Sequence, residues 1–300
     1  MALKNFNELV EMVKKKPVRK VIVAAAHDEH ALEAVLKAHK EGLVEYLLVG
    51  KKADIIEKAK KLGYSVDESA IVETTEDQEA AFKAVELVRQ GKGDFLMKGK
   101  LETSTLLKEV VNKETGIGMG GVMSHMAVVH IPKYHKLVGI TDGGMMPHPN
   151  LDQKVGILNN GLDLFRKLGY DCPNVGVLCA AENYNPKIPE SADAAELKKM
   201  ADEGKFGKIN LEGPISIDLS FSKEAAQIKG YNSPITGDVD ILLMPNMATG
   251  NISCKGLILF AGAEMTGIIL GAKVPVVLTS RGSSFEEKYY ALMLCAAQVE

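Results

Sequence analysis

Near its carboxyl end the chain has the sequence VPVVLTSRGSS, residues 274–284. Its apolar first half, residues 274–278, lies between glycines, which is typical of a fully buried strand in a parallel sheet. Loops that leave the carboxyl ends of such strands are common ligand sites. In this loop Arg281 stands beside Gly282, where the backbone can approach a ligand, and before two serines that can cap the final helix. We predict an anion-binding turn here; an arginine that only secures the loop is the alternative.

The rest of the chain alternates short apolar runs with segments of helical spacing. In the first half, strands are predicted at residues 19–26, 45–49, 70–73 and 94–97, with helices at 6–15, 29–41, 53–62, 78–90 and 106–112. In the second half, extended segments are predicted at 122–131, 137–142, 174–180, 215–219 and 240–245, with helices at 151–168, 192–203, 221–228 and 252–260. This alternation predicts an α/β fold, doubly wound, with helices on both faces of parallel or mixed sheets.

The composition is that of a globular chain. With 300 residues, 46% hydrophobic and 25% charged, it is long enough for two ordinary domains. A net charge of −3 gives no reason to expect a nucleic-acid partner, so an anionic ligand should be small and held by local cations. No apolar run reaches about 18 residues and the start lacks a signal-peptide core, so we expect a cytoplasmic protein without a membrane partner. The scattered cysteines favour reduced thiols over disulfides or zinc.

A second candidate loop follows the predicted strand at residues 94–97. Its sequence KGKLETST, residues 98–105, brings two lysines, a glycine and three hydroxyl residues to a strand-to-helix junction. Such a junction can bind phosphate through cations, N–H groups and hydroxyls. The candidate ligands are Lys98, Gly99, Thr103 and Thr105. A nucleoside-triphosphate P-loop is not expected, because Leu101 follows the second lysine where that motif requires Ser or Thr.

Two further loops follow strands in the second half. A proline-stiffened loop comes after the strand at 137–142, with the candidate residues Asp142, Gly143, Gly144 and Pro147. After the strand at 240–245, Thr249-Gly250-Asn251 opens a helix, and Lys255 lies about one turn further on. N–H groups and polar side chains at a helix start can converge on an anion. A helix N-cap alone also favours Thr or Asn, so both interpretations stay open.

The run GIGMGG at residues 116–121 matches GxGxxG by letter but precedes an extended segment. A dinucleotide-binding turn needs a strand before the glycines and a helix after them, so a hinge or turn is the better interpretation. Nearby, His125 and His130 lie at an odd separation in a predicted strand, hence on opposite faces. We therefore expect no metal site.

Taken together, the loops at Lys98, Asp142, Pro245 and Ser280 resemble the phosphate acetyl/butyryltransferase family in order and spacing across nearly the whole chain. The Met-Lys-Gly opening and the Gly-Gly-Met-Met loop look most like its butyryl-transferring branch. The resemblance implies an acyltransferase that moves a short-chain acyl group between CoA and orthophosphate: acyl-CoA plus phosphate gives acyl phosphate plus CoA. It also implies that CoA, acyl-CoA and phosphate are substrates, that no cofactor is permanently bound, and that the protein is a homodimer or higher homo-oligomer.

The implied fold has two α/β domains of the isocitrate/isopropylmalate dehydrogenase type, with the active site in the cleft between them. Placed on this chain, the first domain comprises residues 1–131 and 284–300, and the second comprises residues 132–283. No linker rich in Gly, Ser or Pro separates the halves, so the chain is expected to cross between the domains more than once.

The resemblance also implies roles for the last loop. The family's Ser-Arg-Gly turn falls on residues 280–282, where Arg281 would hold phosphoryl oxygens and Ser280 would support the developing charge. The acid proposed to take the CoA thiol proton is Asp in acetyl-transferring relatives and falls on Glu287 here, and Glu286 can compete for this role.

Several alternatives stay open. The pattern Ser284-x-x-Glu287 is also a helix capping box, so Glu287 can be purely structural. Acetyl rather than butyryl transfer is the nearest alternative function, because acyl preference depends on pocket volume. A metal- and NAD-dependent dehydrogenase of the same fold and a non-catalytic acyl-CoA sensor are further alternatives. No cysteine or serine has a convincing partnered base, which favours direct transfer in a ternary complex over an acyl-enzyme.

Overall fold

The structure, a computed structural model, describes residues 2–280 and 282–299. The chain forms two compact units. The terminal unit comprises Asn7–Gly121 and Thr266–Glu300, and the central unit comprises Met1–Phe6 and Val122–Met265. Each unit combines a sheet with helices that pack on it, so the predicted α/β class is confirmed.

The described residues form eleven strands and eleven α-helices. The strands are β1 Arg19–Ala24, β2 Val44–Gly50, β3 Ile71–Glu73, β4 Phe95–Lys98, β5 Ser124–His130, β6 Val138–Thr141, β7 Asn174–Leu178, β8 Asn210–Ile215, β9 Ile241–Leu243, β10 Glu264–Leu270 and β11 Val276–Val277. The helices are α1 Phe6–Val13, α2 Glu29–Lys40, α3 Lys52–Lys61, α4 Asp77–Arg89, α5 Thr103–Val110, α6 Leu151–Lys167, α7 Pro189–Asp202, α8 Ile217–Phe221, α9 Lys223–Lys229, α10 Met247–Ala261 and α11 Phe285–Gln298, with one short 3₁₀ helix at Glu68–Ala70.

The sheet of the terminal unit has the strand order β3-β2-β1-β4-β11-β10. Strands β3, β2, β1, β4 and β11 run parallel, and β10 runs antiparallel to β11. The apolar run near the carboxyl end forms the predicted buried strand, although only Val276 and Val277 pair with β4. Helices α2 and α11 pack against each other, and α4 packs against α5 and the strands β1, β2 and β4. The carboxyl ends of these five parallel strands therefore open toward loops that lead into helices.

The sheet of the central unit has the strand order β5-β6-β9-β7-β8. Its first pair is antiparallel and the other pairs are parallel. Its core contains one or more buried side chains from every strand, among them Val129, Ile140, Leu178, Ile215 and Leu242. Helix α6 packs on β5, β6 and β9, and α7 packs on β7 and β8.

The bounds of the two units differ from the expected domain bounds at 131/132 and 283/284. Strand β5 lies with the central unit because it pairs with β6. Strand β11 lies with the terminal unit because it pairs with β4. The carbonyl of Leu3 accepts from the Leu137 N–H at 2.7 Å, which fastens the first residues to the central unit. The division of the chain into folding domains stays a prediction.

The predicted strand at residues 215–219 is wrong. Strand β8 ends at Ile215 and the next turn of chain is helix α8. The side chains of Ile215 and Leu219, four residues apart, are buried, whereas Ile217 between them is 48% exposed. Burial at a spacing of four follows the helical period, so the alternation of letters was misleading here.

Candidate functional site

In the terminal unit, the loops after β1 and β4 are held together by backbone hydrogen bonds. The Gly99 N–H donates to the Ala24 carbonyl at 2.8 Å, and the Lys100 N–H donates to the Ala25 carbonyl at 2.8 Å. A Cβ at Gly99 would lie 2.2 Å from the Ala25 oxygen, so only glycine fits this approach. Ala25 itself has a φ of 52°, in the left-handed region that strains a non-glycine residue. The two loops thus form one rigid rim.

This rim borders a cavity of about 510 Å³, which we call the charged cavity. It is lined by His27, Asp28, Lys51, Asp77, Lys98, Gly99, Lys100, Leu101, Glu102 and Lys288. Of the predicted ligands, Lys98 and Gly99 therefore lie at the cavity. Lys98 is only 2% exposed, and its ammonium donates to the carbonyls of Gly99 at 3.3 Å and Leu101 at 3.2 Å. Lys98, which was predicted to be a phosphate ligand, therefore stabilises its own loop through these two hydrogen bonds.

The two predicted threonines of this region lie elsewhere. Helix α5 begins at Thr103, three residues earlier than predicted, so Thr103 and Thr105 belong to its first turn. The Thr105 N–H donates to the Glu102 carbonyl at 3.1 Å. Among the described residues, Glu102 rather than either threonine lines the charged cavity.

The turn between β11 and α11 contains Arg281, which lies outside the described residues. On either side of it, Ser280 and Gly282 are exposed. The Ser280 carbonyl accepts from the Ser283 N–H at 3.1 Å, which closes the turn. The Ser284 hydroxyl then accepts from the Glu287 N–H at 3.3 Å and caps α11.

The two acids after this turn have opposite environments. Burial raises the pKa of Glu287, while the neighbouring Ser283 hydroxyl and Lys288 ammonium lower it more weakly. The pKa of Glu286 is lowered by its own backbone N–H and by the Ser284 hydroxyl. Only Glu287 therefore has the higher proton affinity that suits a base acting on a thiol.

A functional candidate that the sequence did not suggest is Lys288. Its side chain is 1% exposed, and its ammonium donates to the Thr279 hydroxyl at 3.0 Å and lies 3.9 Å from the Asp28 carboxylate. Burial lowers the pKa of this lysine, against the raising effects of Asp28 and Glu287. In the sequence this lysine follows two acids, Glu286 and Glu287, which is a pattern typical of a solvated helix face. The available signal was its spacing of four from Leu292, which places it on the apolar stripe of α11.

In the central unit, the loop after β6 is organised by the buried carboxylate of Asp142. One oxygen accepts from the N–H groups of Gly144 at 2.6 Å and Met145 at 2.8 Å, and the other accepts from the His125 N–H at 3.3 Å. The His125 ring packs where a side chain at Gly144 would lie. Asp142 thus fixes the loop through main-chain donors.

Helix α10 begins at Met247, earlier than the predicted 252, with Asn246 as its N-cap. The N–H and hydroxyl of Thr249 donate to the Asn246 side chain at 2.9 and 3.0 Å, and the Gly250 N–H donates to the Asn246 carbonyl at 3.2 Å. These N–H groups are therefore already bonded, and the N-cap interpretation accounts for them. The Asn251 side chain donates to the Gly143 carbonyl at 3.2 Å.

The loop after β6 and the first turn of α10 are in direct contact. A Cβ at Gly250 would lie 2.5 Å from the Asp142 oxygen and 2.9 Å from Gly143 Cα. The Pro147 carbonyl accepts from the Met247 N–H at 3.3 Å. The predicted residues Asp142, Gly143, Gly144, Pro147, Thr249, Gly250 and Asn251 are thus brought together. Lys255 lies further along the helix and is exposed.

Beside this cluster is a second cavity of about 430 Å³, which we call the apolar cavity. It lies at the carboxyl ends of β7 and β9, and α10 contributes Thr249 and Ser253. Most of its wall is apolar, including Leu178, Ile188 and Met244.

Two further features of the described residues concern metal binding and membrane crossing. Across residues 2–280 and 282–299, no cluster of three or more His, Cys, Asp or Glu side chains is arranged to hold a metal ion. Within the same ranges no helix is both long and apolar enough to cross a membrane.

Comparison with known proteins identifies the family. A family model described as "Phosphate acetyl/butaryl transferase" matches residues 5–82 and 73–296. The phosphate butyryltransferase of Clostridium acetobutylicum is 42% identical over 294 residues, covering 98% of each chain. The phosphate acetyltransferase of Thermotoga maritima is 38% identical over 289 residues, covering 96% of this chain and 98% of that protein.

Solved structures agree with this assignment. A branched-chain phosphotransacylase from Enterococcus faecalis V583 superposes with a TM-score of 0.81 at 34% identity, covering 94% of this chain and 99% of that one. A 4-hydroxythreonine-4-phosphate dehydrogenase from Burkholderia phymatum shares the fold alone, with a TM-score of 0.53 at 15% identity over 95% of this chain and 99% of that one. The chain belongs to the phosphate acetyl/butaryl transferase family.

Proposed function

We propose that this protein transfers a short-chain acyl group between CoA and orthophosphate, so that acyl-CoA and phosphate give acyl phosphate and free CoA. The observation that carries the proposal is the 42% identity to a phosphate butyryltransferase over 98% of both chains. A phosphate-dependent release of CoA from butyryl-CoA by the purified protein tests it. With neither CoA release nor acyl phosphate formation, the proposal fails.

For the acyl group we propose butyryl or a similar short chain, with acetyl as the alternative. The apolar cavity in the central unit, with Leu178, Ile188 and Met244 in its wall, supports a substrate with more hydrocarbon than acetyl. Acetyl transfer is the alternative because one of the relatives, 38% identical, is a phosphate acetyltransferase.

We expect kcat/KM for butyryl-CoA to exceed that for acetyl-CoA by roughly tenfold or more, since one methylene in an apolar pocket contributes about 1–3 kcal/mol. Initial rates with acetyl-, propionyl-, butyryl- and isobutyryl-CoA at saturating phosphate measure this preference. A higher kcat/KM for acetyl-CoA would establish the acetyltransferase alternative.

We further propose direct transfer in a ternary complex. A phosphate oxygen attacks the thioester carbonyl, the tetrahedral intermediate collapses with cleavage of the C–S bond, and CoA leaves as the thiolate, which then gains a proton. Burial raises the pKa of both Cys179 and Cys254 to about 11, which leaves these thiols protonated and poorly nucleophilic. An acyl-cysteine at either position is therefore disfavoured.

In this mechanism Arg281 holds the phosphoryl oxygens, Ser280 supports the developing negative charge, and Glu287 exchanges the thiol proton. The raised pKa of Glu287 supports its choice over Glu286. We assign substrate binding to the other candidates of the terminal unit, Lys98, Gly99, Thr103, Thr105 and Gly282, and to those of the central unit, Asp142, Gly143, Gly144, Pro147, Thr249, Gly250, Asn251 and Lys255.

Glu287→Gln should cut turnover in the direction of acyl-CoA synthesis by about 10²-fold. Because burial raises the pKa of Glu287, the folded state binds the proton more tightly than the unfolded state. This tighter proton binding by Glu287 stabilises the folded state. The stabilisation is complete below the unfolded pKa near 4.5 and is lost as pH rises through the higher folded pKa. Glutamine does not ionise, so Glu287→Gln does not lose this stability as pH rises. The melting temperature of the variant should therefore be higher than that of the wild type, by a margin that grows from pH 4.5 toward neutral pH.

Glu286→Gln is the matched control for this experiment. The pKa of Glu286 is lowered, so its ionised form stabilises the fold and the substitution should lower stability at neutral pH while sparing turnover. Unchanged turnover in Glu287→Gln would leave Glu287 with a structural role only.

We also propose a homo-oligomer located in the cytoplasm. Helix α10 exposes Ile252 at 70%, Leu259 at 75% and Phe260 at 91%, an apolar surface that a second copy can cover. The four cysteines are free, which suits a reducing compartment. Sedimentation velocity of the purified protein tests the oligomer.

A further inference from the structure

The charged cavity lies at a topological switch point of the terminal unit. Strand β2 borders β1 on one side and β4 borders it on the other. Strand β1 is followed in the chain by β2, on the side of β1 away from β4, so the strand order reverses between β1 and β4. Open α/β sheets bind ligands in the crevice at such a point. His27 and Asp28 from one loop and residues 98–102 from the other line the cavity here.

The wall of the cavity carries an excess of positive charge. Four lysines, Lys51, Lys98, Lys100 and Lys288, face three acids, Asp28, Asp77 and Glu102. One of these acids is partly engaged, since the Asp28 carboxylate accepts from the Ala31 N–H at 2.8 Å as the N-cap of α2. The balance of four cations against three anions favours an anionic ligand.

The burial of Lys288 is the first specific indication of that ligand. Its ammonium has one hydroxyl partner, Thr279, at 3.0 Å and one carboxylate, Asp28, at 3.9 Å among the described residues. An ammonium has three donors, and removing it from water is costly unless they are satisfied. A buried lysine that is incompletely paired beside a cavity is stabilised when an anion enters.

His27 is the second, independent indication. Its side chain is 7% exposed and lines the same cavity. Its buried Nδ1 has no hydrogen-bond partner in the part of the chain that the structure describes. Buried polar atoms are nearly always paired, so an unpartnered ring nitrogen in a residue that lines the cavity points to an absent polar partner.

We propose that the charged cavity binds a phosphoryl group through the buried Lys288 ammonium and His27. The inference rests on the proposed function, which supplies two sources of this chemistry: orthophosphate and the phosphates of CoA. Lys288 bonds Thr279, the residue before the Ser280 turn, so the cavity adjoins the loop to which phosphoryl binding is assigned. At about 510 Å³ the cavity lies in the range of about 300–1,000 Å³ typical of small-molecule sites, larger than orthophosphate alone requires.

The test is calorimetric titration of Lys288→Met with orthophosphate, CoA and dephospho-CoA. Methionine keeps most of the apolar volume and removes the charge. We expect a 10- to 100-fold weaker Kd for the ligand whose phosphate occupies the cavity, the scale of a lost charge-assisted hydrogen bond. The melting temperature should stay equal or rise, because an apolar replacement of a buried ion is often stabilising. Lys92→Met, at an exposed lysine of the same unit, is the control and should bind all three ligands normally.

The pattern of losses identifies the source. Weaker orthophosphate binding alone assigns the cavity to orthophosphate. Weaker CoA binding in Lys288→Met and also in Lys51→Met or Lys100→Met, with a smaller loss of affinity for dephospho-CoA, assigns the charged cavity to the phosphates of CoA. If Lys288→Met does not fold, His27→Gln is titrated in its place, with weakening of at least severalfold expected.

Wild-type affinity of the folded variant for all three ligands would overturn the inference. Because binding is measured without turnover, this result is distinct from failure of the proposed function, in which acyl transfer itself is absent.

Discussion

Arg281→Ala should slow acyl transfer by about 2–4 kcal/mol in transition-state free energy, or roughly 30- to 1,000-fold in kcat/KM. A guanidinium binds a phosphoryl group through two parallel hydrogen bonds, and these strengthen as charge develops on the reacting oxygens. The residues on either side, Ser280 and Gly282, are exposed, so the turn offers access for a ligand. Steady-state kinetics with butyryl-CoA and phosphate measure the loss.

Two controls make this experiment specific. Arg281→Lys restores the charge without the paired geometry, so it should recover only part of the rate. Arg89→Ala removes another arginine of the terminal unit, whose guanidinium donates to the Glu114 carbonyl at 3.0 Å, and it should leave the rate unchanged. The melting temperature of Arg281→Ala should match that of the wild type. A near-normal rate in this variant would exclude Arg281 as the phosphoryl anchor.

Gly250→Ala should damage both stability and turnover. Its methyl group would lie 2.5 Å from the Asp142 oxygen and 2.9 Å from Gly143 Cα, and both are backbone atoms that no rotamer change can move. We expect a loss of about 1–3 kcal/mol in the free energy of unfolding from overpacking. Displacing the loop after β6 by about 1 Å should also cost roughly 10²-fold in kcat/KM if that loop positions the substrate.

The same helix supplies a matched control, Gly256→Ala. A Cβ at Gly256 meets nothing within 4 Å, so alanine there should stabilise α10 by about 0.5–1 kcal/mol and leave turnover unchanged. Urea unfolding and steady-state kinetics of both variants provide the comparison. Wild-type stability and rate in Gly250→Ala would show that the contact with the loop after β6 is not required.

The sequence predicted most strands and helices because their periods and boundaries are local. It failed where the period was ambiguous. Residues 215–219 alternate by letter but bury positions four apart, as a helix does. Strand β10 was not predicted, because a short apolar run beside an apolar helix end fits either structure.

The loops of the candidate site were predictable, but the use of their side chains was not. A candidate residue at the carboxyl end of a parallel strand can be located from the order of elements alone. Whether its side chain is free depends on tertiary neighbours. Asp142 is occupied by three backbone donors and Lys98 by two carbonyls, and no local pattern reveals either partnership. Lys288 was overlooked for the converse reason, since its burial arises from packing of α11 in the terminal unit.

The discontinuity of the terminal unit has a consequence during synthesis on the ribosome. Its sheet needs β11 beside β4, and these strands are separated in the chain by the whole segment Val122–Met265 of the central unit. Domains fold as their residues emerge, so the sheet of the central unit can be completed before β11 is translated. Until β11 emerges, β4 of the terminal unit lacks this neighbour. Ser280, Glu287 and Lys288 also follow that segment, so a chain that terminates within the central unit lacks β11 and all three of these candidate residues.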